Sequence, residues 1–212
     1  MKNNASICWL VAGLLIAGCA TNSPAHNFKK TFSSFDLLAE HAGTAVPSAA
    51  TMDFKGVDLS QLLEIYTAVS KRTVLRGALP DLKFVLRTAT PMNAIEQLQT
   101  FDTLLAQNGI AMIYSGERTV KAVPVDRLKT EVLPEIDHPW SALPESSSPM
   151  LRKVYLKKYR PSEVLPVLQP LASLPNSIVA VDAESLLILR DYSANIRQQL
   201  KLLEELEQKK TP

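Results

Sequence analysis

Cysteine is almost missing from this chain of 212 residues, which has only Cys8 and Cys19. With Cys8 inside an apolar N-terminal run, no disulfide framework is expected, and the fold must be held by apolar cores. Glycine is also scarce, at 7 residues, and no phosphate-cradling loop, Gly-x-Ser-x-Gly elbow or H-E-x-x-H helix occurs. The three histidines, His26, His41 and His138, fall in segments that read as linkers. None has a second ligand three or four residues away with a cysteine or carboxylate to complete a site, so neither a metal nor a cofactor is expected. Charge of one sign is lacking as well: 23 basic residues are interspersed with 21 acidic ones, for a net charge of +2. That balance gives no electrostatic footprint for nucleic acid. The carboxylates are spread over solvated faces, so an enzyme is not expected.

The first twenty residues carry a pattern of their own. Lys2 precedes an apolar run from Ile7 to Ala17, and Leu15-Ile16-Ala17-Gly18 leads into Cys19. The run is well short of the ~20 apolar residues of a membrane-spanning helix, so a cleaved export signal is the better reading. The final positions resemble the lipobox of bacterial lipoproteins. That resemblance implies cleavage after residue 18, a palmitate-type lipid on the sulfur of Cys19 and an acylated new amino terminus. An ordinary signal peptide with Cys19 as an incidental thiol is the alternative. Ala20 stands where such lipoproteins carry aspartate when retained at the inner membrane, which implies the outer membrane, facing the periplasm. Residues 19–50, rich in Ser, Thr, Ala, Asn and Pro, read as a tether, with an apolar patch at Phe28, Phe32, Phe35 and Leu38.

Residues 51–126 predict a first small domain of order β-α-β-β-α-β-β. Met52-Asp53-Phe54-Lys55 alternates like a half-buried strand that Gly56 ends. Asp58 and Gln61 form a capping-box pattern before a helix with Leu59, Leu62, Leu63, Tyr66 and Val69 on one face. Short β-rich pieces follow at residues 73–75 and 83–87. A second helix is predicted with Thr90 as cap and Pro91 in first position, burying Ile95, Leu98, Phe101 and Leu105 and ending at Asn108-Gly109. Residues 110–114 and 119–123 then read as a hairpin.

Residues 127–149, with Pro134, Pro139, Pro144 and Pro149, predict a linker. Trp140 within it is either an anchor for a partner or an aromatic folded back on its own domain. Residues 150–208 predict a second domain of order β-α-β-β-α: a strand at Lys153 to Leu156, a helix complicated by Pro166 and Pro170, a hairpin around residues 182–185, and a final helix capped by Ser193. Each block is predicted to cover one small sheet with two helices, so the fold class is α+β in two small domains.

The stretches Phe54 to Leu63 and Gln107 to Ala111 resemble the first periplasmic domain of bacterial secretins. Val154 to Tyr159, Leu165 to Leu171 and Asp191 to Leu206 resemble the second, KH-like domain. Secretins are the ring-forming outer-membrane channels of type II and type III secretion and of type IV pili. The resemblance implies a protein-interaction or assembly module of such a machine, with secretin, secretion or pilus subunits as partners and a homo-oligomeric ring as one arrangement. Because the chain ends at Pro212 without the alternating membrane strands of the pore domain, no channel of its own is expected. Asp182 is followed by Ser185-Leu186, where relatives usually carry an asparagine shortly after the matching aspartate.

A small sheet with an open edge can add a strand from a partner. The candidate interaction residues are Phe54, Lys55 and Val57 on the first strand and Lys153 and Tyr155 on the first strand of the second block, with a solvated, lysine-blunted edge as the alternative at both. Two other resemblances are weaker. The first block is similar to the signalling domain of TonB-dependent transducers, which implies a periplasmic sensor. The second has the element order of KH domains but lacks their G-x-x-G clamp, so no nucleic acid is expected.

Overall fold

The structure, a computed structural model, describes residues 50–209, and these belong to one compact unit. The leader, Cys19, the patch at Phe28 to Leu38, His26 and His41 lie outside the described residues. Along the chain run β1 (Asp53–Asp58), α1 (Leu59–Ser70), β2 (Thr73–Arg76), β3 (Lys83–Arg87), α2 (Ala94–Gln107), β4 (Ile110–Tyr114) and β5 (Thr119–Pro124). There follow β6 (Pro149–Tyr155), α3 (Pro161–Leu168), β7 (Ile178–Val181), β8 (Leu186–Tyr192) and α4 (Ser193–Lys209). The class is α+β.

Local chemistry sets most of these boundaries. The Asp58 N–H donates to Gln61 Oε1 at 3.3 Å, which starts α1, and its buried residues Leu59, Leu62, Leu63 and Tyr66 recur at helical spacing. The second helix starts at Ala94 rather than at Pro91, and Asn93 rather than Thr90 is its cap. Asn93 Oδ1 accepts from the N–H groups of Ile95 and Glu96 at 3.0 Å, and the Glu96 carboxylate accepts from the Asn93 N–H at 2.8 Å. That reciprocal pair satisfies amides which would otherwise be orphaned, while Met92 is held extended by antiparallel bonds to Ala50 of 3.0 and 3.1 Å. Gly56 does not end β1. It sits at a φ of +98° where the β1–β3 register shifts between Lys55 and Val57, a bulge that lets the strand run on to Asp58.

The first block contains two sheets where one was expected. β1 pairs antiparallel with β3; separately, β5 lies between β4, antiparallel, and β2, parallel. One core joins them, with Leu62, Tyr66, Phe84, Phe101, Leu105 and Met112 among its most deeply buried members. In the second block β8 lies between β6 and β7, all antiparallel. Alternate residues of β8, Leu187 and Leu189, pack against Val164 and Leu168 of α3 and Ile196, Leu200 and Leu203 of α4. α3 copes with its prolines by being short: Pro161 occupies the start, where no amide is missed, and after Pro166 the chain tightens into the 3-10 turn Gln169–Leu171. β6 begins at Pro149, earlier than the expected Lys153, and a proline is tolerated as the first residue of an edge strand.

Residues 127–149, expected as a linker, are packed. Leu128, Leu133, Ile136 and Leu143 are buried, and Leu128 and Leu133 join Ala111 and Ile113 in a third cluster that also takes in Leu151, Leu174 and Tyr192. This seam covers the second face of β4, so all five of its residues are buried instead of every other one. Trp140 folds back onto α4: its indole N–H donates to Glu204, and the cations of Arg197 and Lys201 lie 5.9 and 5.6 Å from its ring centre. Arg190 of β8 donates to the carbonyls of Leu128, Lys129 and Glu131 at 2.8, 3.3 and 3.0 Å, tying the sheet of the second block to the end of the first.

Candidate interaction edges

The five residues singled out on the strands fall on two separate sheets and play different parts. Phe54 is half-buried, its ring stacked on Phe101 with centres 6.1 Å apart, and Val57 also packs on the first core. Both anchor β1 from within. Lys55 is exposed, 3.8 Å from Asp53 and opposite Val85 on β3, whose side chain is 74% exposed. The pair β1–β3 thus presents lysine and valine side by side on its solvent face. Among the described residues β1 pairs only with β3, which leaves its other edge unpaired.

β6 is an edge strand closed for part of its length. The Leu151 N–H donates to the Pro134 carbonyl at 2.8 Å, and the Leu151 carbonyl accepts from the Ile136 N–H at 3.0 Å. Arg152 holds the same segment through the Ile136 carbonyl at 2.9 Å and Asp137 at 2.6 Å, and Lys153 pairs with Glu135 at 2.9 Å. Backbone polarity alternates along a strand, so the N–H and C=O groups of Lys153 and Tyr155 point outward like those of Leu151. No strand meets them among the described residues, and Tyr155 is 66% exposed. Register carries that solvent face across the sheet: Lys153, Ile188 and Val179 form one row, and Tyr155, Leu186 and Val181 the next. Val179 and Val85 belong to these faces and were not marked in the sequence, where a valine in a short strand gives no sign of which way it points.

At the far end of the β7–β8 hairpin, Ser185 takes the left-handed conformation, with a φ of 51°. Asp182 accepts from the Ser162 N–H at 2.9 Å and the Ser162 hydroxyl at 2.7 Å. Those bonds hold its carboxyl below the usual range and pin the turn to the start of α3.

A polar cluster lies where the two cores meet. Asp102 of α2 is fully buried. Its Oδ1 accepts from the Tyr66 hydroxyl at 2.8 Å, and its Oδ2 accepts from Ser148 at 2.5 Å and from Tyr114 at 3.5 Å. Burial lifts this carboxyl to about 7, with the hydroxyls of Ser148, Tyr66 and Tyr114 pulling it part of the way back. Burial, foremost, and the nearby carboxylate also raise both tyrosines well above their ordinary range. One signal for the cluster was in the sequence: Asp102 lies four residues after Leu98 and one after Phe101, on the stripe that α2 buries. Among the described residues no group of metal-ligating side chains occurs, and no helix is long and apolar enough to cross a membrane.

No protein-family model matches the chain. In sequence the chain resembles the N-terminal region of bacterial secretins, and its fold is similar to theirs. Over 84 residues it is 32% identical to Secretin GspD 2 of enterotoxigenic Escherichia coli, a match covering 40% of this chain and 12% of that protein. In fold it is similar to a chain of the Klebsiella pneumoniae type II secretion system outer-membrane complex of PulD, PulS and the PulC HR domain. The TM-score is 0.59 at 20% identity, over 73% of this chain and 26% of that one. The N0 domain of the type II secretin from enterotoxigenic Escherichia coli is 29% identical over 38% of this chain and 99% of its own, at a TM-score of 0.35. The chain therefore spans a small part of the curated relative it matches.

Proposed function

We propose that this protein is a lipid-anchored periplasmic module of a secretin-type secretion or type IV pilus machine, working through protein contacts rather than chemistry. The observation that carries the reading is the match to Secretin GspD 2. The fold shared with the PulD complex supports it, since that assembly contains further subunits named as PulS and the PulC HR domain. The lipid belongs on Cys19 and the anchor in the outer membrane; both rest on the leader pattern alone. Contact surfaces on this reading are the Lys55–Val85 face of β1–β3 and the open end of β6 at Lys153 and Tyr155, where partner strands or neighbouring copies can add. The partners are secretin, secretion-system or pilus subunits, in a ring of copies or beside one.

The test is a crosslinked pull-down of the full protein from its native envelope, read by mass spectrometry, beside a Cys19→Ser chain. Recovery of secretin or pilus subunits, with loss of the Cys19→Ser chain from the membrane fraction, is the expected result. Recovery of no such subunit defeats the assembly role, and a Cys19→Ser chain that stays in the membrane defeats the lipid anchor.

A further inference from the structure

The Asp102 cluster has a geometry that a merely structural core would not need. Its members come from four separate elements: Tyr66 from α1, Asp102 from α2, Tyr114 from β4, and Ser148 from the segment that enters β6. Hydrogen bonding continues beyond Ser148 into the second core. Ser148 Oγ and Ser193 Oγ each lie 3.0 Å from Ser146 Oγ, and the Ser193 hydroxyl donates to the Ser146 carbonyl at 2.6 Å. Backbone bonds run beside them, from the Ser193 N–H to the Ser148 carbonyl at 2.9 Å and from the Ala194 N–H to the Ser146 carbonyl at 3.1 Å. A polar chain thus leads from Asp102 to the first residues of α4.

Among the described residues the side-chain partners of Asp102 are hydroxyls, which can donate or accept. Tyr66 and Ser148 donate to the carboxyl, and in the neutral form its own O–H can donate to one of these hydroxyl oxygens once that hydroxyl turns. Ionised, it has only those hydroxyl donors to set against the loss of water, in an interior where none of the ion pairs of the described residues reaches it. Arg72 lies 5.2 Å from the centre of the Tyr114 ring and donates to the Gly116 carbonyl, not to Asp102. Asp191, the other buried carboxylate beside this seam, differs. It accepts from the amides of Ser173 and Tyr192 and from Asn195, at 2.9, 2.7 and 2.9 Å, groups that can only donate, and the Ser177 hydroxyl is farther off at 3.5 Å.

We propose that Asp102 is a proton-responsive latch between the two cores: neutral, it holds Ser148 and with it the start of α4; ionised, it releases them. An unfolded aspartate titrates near ~3.9. The folded group titrates at about 7, so its contribution is complete below the unfolded value and is lost as pH rises through about 7.

Two measurements on the full chain test this. In a carboxyl-carbon NMR titration, one aspartate resonance is expected to titrate near 7 and to be absent from Asp102→Asn. In hydrogen exchange corrected for intrinsic rates, the amides of Ser193 and Ala194 are expected to open roughly tenfold more readily at about pH 8 than at about pH 5.5. Asp102→Asn, neutral at both, should remove that dependence, which separates Asp102 from Asp191. Ser148→Ala keeps the carboxyl but cuts its link to the second core, and should open these amides at both pH values. An Asp102 resonance that titrates below about 5, a dependence that survives Asp102→Asn, or unchanged exchange in Ser148→Ala overturns the latch.

Discussion

In the first core, β4 is covered on both faces, by the helices on one side and by the seam of Leu128 and Leu133 on the other. The β6-β8-β7 sheet of the second core is covered by helices on one face; on the other, Leu151 and Tyr192 meet the seam while Tyr155 and Val179 stay exposed. The two blocks have comparable element orders, so element order does not decide the difference. What decides it is where residues 127–149 go: Leu128 and Leu133 close the second face of β4, whereas Ile136 and Leu143 join the second core and leave part of its outer face open. Where Val179 and Tyr155 lie exposed on that face, burial against another apolar surface would remove little charge from water.

The contrast can be broken most strongly inside the first core. Phe101 is fully buried and touches Phe54 and Tyr66, so Phe101→Ala should cost about 3–5 kcal/mol in urea denaturation; a loss under about 1 kcal/mol would mean that this core is loosely packed. Arg190→Ala leaves three seam carbonyls without their donor. It should cost about 2–3 kcal/mol and split a single unfolding transition into two, whereas an intact transition would show that the apolar seam alone couples the blocks. Gly56→Ala should cost about 1 kcal/mol through backbone strain alone, because an added Cβ meets nothing within 4 Å at that φ of +98°. Tyr155→Ser should change stability by less than about 0.5 kcal/mol while weakening capture of secretion subunits; a large stability loss would show that the face is not open.

Much of this architecture was legible because the helices and strands carry their own periodicity. Leu59 to Tyr66 and Ile196 to Leu203 each mark one buried face, and Asn108-Gly109 marks a helix end. The cap of α2 was misplaced because Thr90-Pro91 is a plausible start in isolation; what excludes it is the bond between Met92 and Ala50, 42 positions apart. The division of the first block into two sheets was invisible for a related reason. Alternation shows which residues of a strand are buried, but not which strand lies beside it. The seam was hidden by composition: four prolines suggest an extended spacer, and Leu128, Leu133, Ile136 and Leu143 are too irregularly spaced to announce a buried face. The polar cluster needed the fold, since Tyr66, Asp102, Tyr114 and Ser148 converge only once both cores are assembled.

The double cover of β4 bears on how the protein comes apart. A strand with one wet face can lose its protection by fraying, but Met112 and Ile113 have a core on each side. The Ile113 amide, which faces β5 in a strand packed on both sides, should therefore exchange only in rare openings and serve as an internal clock for them. Ala180, on the thin outer strand β7, keeps a faster one.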